Sequence, residues 1–134
     1  MIVRKSALVL AAAALLAAAM PAMAKSRAAD PVKMFDTDND RTLDVNEVKK
    51  AAASLFDRLD RDHDGTLDIS ELAGRLNKRE FAAADPDHDG TLTKDEYLAV
   101  VQQRFEAADP DKDGTLNAKE LASRAGRNLL RLLR

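Results

Sequence analysis

Three aspartates at alternate positions, closed by a glutamate, recur four times in this chain. The windows are "DTDNDRTLDVNE" (36–47), "DRDHDGTLDISE" (60–71), "DPDHDGTLTKDE" (85–96) and "DPDKDGTLNAKE" (109–120). Positions 1, 3, 5 and 12 are Asp36, Asp38, Asp40 and Glu47 in the first window and Asp60, Asp62, Asp64 and Glu71 in the second. They are Asp85, Asp87, Asp89 and Glu96 in the third, and Asp109, Asp111, Asp113 and Glu120 in the fourth. Alternate residues of a tightly turning loop face inward, so the aspartates converge and the glutamate closes the shell with both oxygens. Such a shell suits a hard cation of calcium's size, which takes roughly six to eight oxygens. The carbonyl of position 7 (Thr42, Thr66, Thr91 or Thr115) adds one more. Of the 23 acids, 18 stand at positions 1, 3, 5, 9 or 12 of these windows, which excludes a solvated acidic linker as their explanation. The chain has no cysteine, and carboxylates without sulfur select oxygen-loving cations. His63 and His88 both occupy position 4, which faces out of such a loop, so they are read as surface residues and not as a zinc or copper site.

This spacing identifies the windows as EF-hand metal loops. Position 6 must turn in a left-handed conformation that glycine tolerates, and Gly65, Gly90 and Gly114 meet that need. The first loop has Arg41 there, at a cost of roughly 1–2 kcal/mol, so the weakest site is expected at loop 1. Leucine fills position 8 in all four loops (Leu43, Leu67, Leu92, Leu116), which implies short strands that pair loop with loop. Position 9 (Asp44, Asp68, Thr93, Asn117) has two readings, as a metal-shell residue and as the first member of a helix capping box with the glutamate at position 12; both can hold.

The elements between the loops are short. Twelve residues separate Glu47 from Asp60, 13 separate Glu71 from Asp85, and 12 separate Glu96 from Asp109. One helix of about 18 Å fits each 12-residue gap, where EF-hand pairs ordinarily leave room for two. Val48, Ala52, Leu55, Phe56 and Leu59 recur at helical spacing, as do Leu98, Val101, Phe105 and Ala108. The middle connector, "LAGRLNKREF", is expected to break at Gly74 and restart at Asn77, with Glu80 completing a capping box. A continuous helix holds its two loops at opposite ends, so loops 1 and 2 cannot pair, nor can 3 and 4. A reversal in the middle brings loop 2 to loop 3 and loop 1 to loop 4.

Residues 1–24 read as a signal peptide: "MIVRKS", an apolar run of 14 and the small-residue site "AMA". The run falls short of the roughly 20 residues a membrane span needs; a retained anchor is the alternative. The expected mature domain, 25–134, loses Arg4 and Lys5 and no acid, so 19 basic residues face 23 acids, a net of −4. That balance argues against nucleic acid, whose recognition begins with a basic surface. Four Phe, one Tyr and no Trp imply a thin, mostly aliphatic core that needs outside help for stability. The amphipathic "NLLRLLR" at the C-terminus is read as a last helix packed on the bundle.

The close loop spacing, the "DPDxDGTL" loops, the leader and the tail "ADPDKDGTLNAKELASRAGRNLLRLLR" together resemble the lanmodulins, periplasmic lanthanide-binding proteins of methylotrophic bacteria. The resemblance covers nearly all of 25–134 and is strongest from Asp85 onward. It implies an all-α fold, a compact three-helix bundle with four closely spaced EF-hand metal loops. It also implies metal-driven ordering and preference for lanthanide(III) ions (La, Ce, Nd and neighbours) over Ca2+. The family's proline at position 2 is kept as Pro86 and Pro110, but Thr37 and Arg61 stand in loops 1 and 2. Its acid at position 9 is kept as Asp44 and Asp68, while Thr93 and Asn117 depart from it. The expected partners are metal ions, with no nucleic acid, no membrane insertion after leader removal, and a monomer or weak dimer. A periplasmic calcium buffer or sensor is the alternative. Met34 is the only methionine of 25–134, which disfavours a Met-rich target groove. A dockerin-like structural module is a third class. No nucleophile–base pair stands outside the loops, so no enzyme is expected.

Overall fold

The computed structural model describes residues 29–134, and the leader expected at 1–24 lies outside them. The described chain runs α1 (Pro31–Phe35), β1 (Leu43–Asp44), α2 (Val45–Leu59), β2 (Thr66–Asp68), α3 (Lys78–Ala84), β3 (Thr91–Thr93), α4 (Lys94–Ala108), β4 (Thr115–Leu116), α5 (Ala118–Leu121) and α6 (Arg124–Leu130). It is mostly helical, with two short two-stranded sheets. Among the described residues no helix is long and apolar enough to cross a membrane.

Helices α2 and α4 fill the outer connectors, each starting on a capping box and ending on the first aspartate of the next loop. In α2 the buried side chains are those the periodicity predicts: Val48, Ala52, Leu55, Phe56 and Leu59, joined by Glu47. In α4 the stripe is Tyr97, Val101, Phe105 and Ala108, with Leu98 only partly buried. The stripe starts one residue earlier than expected because the Tyr97 ring packs 5.8 Å from that of Phe56. Its hydroxyl also donates to the Leu132 carbonyl at 2.7 Å.

The middle connector breaks as its composition predicts. Turns run from Ile69 to Leu76, Gly74 sits at φ 78, and Asn77 caps α3 with Glu80 completing the box. The chain reverses there, and loops pair across the molecule. Strands β1 and β4 pair antiparallel through Leu43 opposite Leu116, and β2 pairs with β3 through Leu67 opposite Leu92. All four leucines are fully buried. The expected arrangement, loop 2 with loop 3 and loop 1 with loop 4, is the one observed.

Helix α4 packs against α2 on one side and α6 on the other. Leu129, Leu130, Leu132 and Leu133 are buried, which is the packing role expected for the C-terminal leucines. Gly126 lets α6 lie on α5, since a Cβ there would stand 2.2 Å from the Glu120 carbonyl oxygen. Arg104 ties α4 to its neighbours, donating to Glu80 Oε1 at 3.0 Å and to the Asn128 carbonyl at 2.7 Å. The buried set is largely leucine, valine and alanine with three phenylalanines and Tyr97, an aliphatic core of the kind the composition implies.

Candidate metal centres

The start of each loop is anchored by the helix before it and its end by a capping box. At position 12, Glu47, Glu96 and Glu120 accept the amide of position 9 through Oε2, while their own amides donate to the position-9 side chains Asp44, Thr93 and Asn117. Loop 2 forms the same reciprocal pair between Asp68 and Glu71, at 3.3 and 2.9 Å, although turns and no helix follow it. Position 9 thus serves as a cap in every loop.

The glutamates are aimed back across the loops. In loops 2, 3 and 4, positions 1, 3 and 12 each bring an oxygen within 4.8 Å of the others: Asp60, Asp62 and Glu71; Asp85, Asp87 and Glu96; Asp109, Asp111 and Glu120. Loop 1 gathers Asp36, Asp38 and Asp40 instead. Its Glu47 is drawn to position 2, where Thr37 donates its amide at 2.6 Å and its hydroxyl at 2.9 Å to Oε1.

Position 5 is held by position 7, a contact the spacing alone does not reveal. The Thr42 amide and hydroxyl donate to Asp40 Oδ1 at 2.8 and 2.7 Å. Thr66, Thr91 and Thr115 repeat this on Asp64, Asp89 and Asp113. The amide of position 6 donates to Oδ2 of position 1 at 3.0 Å in all four loops, from Arg41 as from Gly65, Gly90 and Gly114. Arg41 takes the left-handed φ of 72 that the turn demands. Position 4 is left-handed too, at Asn39, His63, His88 and Lys112, and both histidines are exposed.

Crowded carboxylates disturb one another's proton affinity. Asp87 is raised, chiefly by its hydrogen bond with Asp85, then by desolvation and by the Asp89 and Glu96 charges. Burial pushes Asp85 up, but the Gly90 amide, the Asp87 carboxyl and the nearby amides of His88 and Asp89 outweigh it and leave it lowered. The Asp40 amide pulls Asp38 down, yet desolvation and the charges of Asp40, Glu47 and Asp36 leave it raised. The Thr42 hydroxyl lowers Asp40.

The donor set fits a hard cation. Every clustered residue offers a carboxylate oxygen, and within these clusters Asp109 Oδ1 is buried without any hydrogen-bond partner, as is Asp85 Oδ1 apart from its contact with the Asp87 carboxyl. Burying an unpartnered charged oxygen is costly, and a cation in the loop supplies the missing partner. The acids outside the loops have structural work: Asp30 caps α1, Asp57 pairs with Lys94, and Glu80 pairs with Arg104 and Arg131.

Paired, acid-lined loops, each entered from a helix and closed by a glutamate, define a cation-binding protein. The EF hand family model matches residues 52–81, 76–101 and 100–123, more than half of the chain, and the chain belongs to that family. Loop 1, with Arg41 in the glycine position, lies outside the matched spans. No curated protein matches the chain.

Proposed function

We propose that the protein binds trivalent lanthanide ions in preference to calcium, in the periplasm, and that binding orders the chain. The observation that carries this reading is the density of carboxylate: three acids within 4.8 Å in every loop, with buried unpartnered oxygens in two of them. Attraction to a cation scales with its charge, so crowded carboxylates reward a trivalent ion over a divalent one of similar radius. The likeness of the loops, leader and tail to lanmodulins supports the rare-earth preference and the periplasmic setting. It also supports α2, α4 and α6 as the principal helices of a bundle.

Coupling to folding has a physical basis in the sites. Each loop joins the end of one segment to the start of the next, and each sheet holds together segments far apart in sequence. Without metal the carboxylates repel across a small aliphatic core, so binding free energy becomes folding free energy. Nothing in the loops offers a reacting nucleophile, and the role is binding rather than catalysis.

The test is a titration of the metal-free chain from Lys25 with buffered free lanthanum and, separately, calcium, followed by circular dichroism. Lanthanum is expected to raise helicity at a free concentration more than about a hundred-fold below that of calcium, some 2.7 kcal/mol. Midpoints closer than that identify a calcium buffer.

A further inference from the structure

Loops 3 and 4 differ from loops 1 and 2 in what their metal-facing oxygens are doing. In loop 1, Asp36 Oδ1 accepts the Asn39 amide at 2.6 Å and Glu47 Oε1 accepts the Thr37 amide at 2.6 Å. In loop 2, Asp60 Oδ1 accepts the Asp64 amide at 3.2 Å and Glu71 Oε1 accepts the Arg61 amide at 2.9 Å. The donor to the glutamate is the amide of position 2 in both. Loops 3 and 4 have Pro86 and Pro110 there, and proline has no N–H to give. Glu96 and Glu120 hold only the position-9 residue, through Oε2. Their partners at position 1, Asp85 and Asp109, are 4% and 7% exposed and carry the unpartnered Oδ1 atoms.

A cation entering loop 3 or 4 therefore meets a closing glutamate whose Oε1 no amide holds. In loop 1 or 2 it must first displace the position-2 amide from that oxygen. We infer that the four loops fill in two classes, loops 3 and 4 ahead of loops 1 and 2, and that the residue at position 2 sets the order by supplying or withholding an amide to the closing glutamate. The pairing gives this order a further consequence. Each sheet joins one open loop to one self-satisfied loop, β4 of loop 4 to β1 of loop 1 and β3 of loop 3 to β2 of loop 2. The first two ions thus bind at opposite ends of α4, and each fixes the strand against which its partner loop aligns. The inference rests on the metal-binding reading above, but not on which ion is preferred.

The amide of position 6 reports its own loop, because in each it donates to the position-1 carboxylate. We would follow the Arg41, Gly65, Gly90 and Gly114 amide resonances of isotope-labelled protein through titrations with lanthanum and with calcium. Gly90 and Gly114 are expected to reach their bound positions at about tenfold lower free metal than Gly65 and Arg41, the scale of one hydrogen bond to a charged group. Arg61→Pro supplies a gain-of-binding test. Asp60 already has ψ 86, against 85 at Asp85 before the native proline, so the backbone accepts the ring. This variant is expected to bring Gly65 into the first class, whereas Arg61→Ala, which removes the same charge and keeps the amide, leaves it in the second. Pro86→Ala with Pro110→Ala is expected to erase the separation. Four amides that move in concert in the unaltered protein would overturn the inference, as would Arg61→Pro and Arg61→Ala titrating alike. Equal midpoints for lanthanum and calcium would remove the selectivity and leave the order of loops standing.

Discussion

Arg41 occupies a turn that three sister loops give to glycine, and it adopts the same hand, at φ 72 beside 85, 86 and 85 for Gly65, Gly90 and Gly114. The hydrogen bond to position 1 survives, so the cost is local: a Cβ in the left-handed region, roughly 1–2 kcal/mol, part of it returned by the greater freedom of an unfolded glycine. Its cation adds repulsion to any metal in the loop. Arg41→Gly is expected to tighten loop 1 by about tenfold, near 1.4 kcal/mol, read as the shift in the free-metal midpoint of the residue-41 amide. The other three loops should not move. Thr37 still holds Glu47 in this variant, so loop 1 is expected to remain behind loop 4. An unchanged midpoint would mean that the Thr37 contacts, not the turn, limit the site.

At the scale of elements, most rests on how α5 and α6 are placed. Gly126 in α6 lies so close to α5 that a Cβ would meet the Leu121 Cα at 2.5 Å as well as the Glu120 carbonyl oxygen. Both neighbours are backbone, so the helices must separate rather than a side chain yield. Glu120 closes loop 4, which couples the packing to the metal site. Gly126→Ala is expected to destabilise the loaded protein by about 1–3 kcal/mol in urea unfolding and to weaken loop 4 more than loop 3. Equal weakening of both loops would show the loss to be global.

The same elements show what the sequence could reveal. The helices α2 and α4 follow from apolar spacing, and the break before α3 follows from Gly74 and the Asn77–Glu80 box. The loop pairing follows from the two 12-residue connectors, each filled by one continuous helix, together with the reversal at Gly74 in the middle one. Helix α1 has five residues, too few for a periodic signal, though Asp30 and Pro31 form its cap and first turn. The division of the tail into α5 and α6 turns on Ser123, whose hydroxyl accepts the Gly126 amide, a local bond with no period to announce it. Within the loops the carboxylates were legible from their spacing. The competition for them was not, since it depends on which amide points at which oxygen.

The whole molecule is joined at its centre by Tyr97, fully buried between Phe56 of α2 and the C-terminal turn. Burial pushes its phenol up to about 12, with Arg75 and Arg104 pulling weakly the other way. In the unfolded chain a tyrosine titrates near about 10. Between those values the unfolded state has released a proton that the native state keeps, so stability falls as pH rises through this window and is flat below it. The loss approaches about 3 kcal/mol if the difference is fully expressed. Tyr97→Phe removes the hydrogen bond to Leu132 and should cost about 1 kcal/mol at neutral pH, but it also removes the titration. Urea unfolding of the calcium-loaded protein at pH 9 and near pH 12 is therefore expected to show a larger alkaline loss for the native chain than for Tyr97→Phe. The two chains differ in no other titratable group, so the difference between their losses isolates the buried phenol. Equal losses would mean that Tyr97 reaches water as easily in the folded protein as in the unfolded one, and that the junction of α2, α4 and the C-terminal turn opens at high pH before the rest.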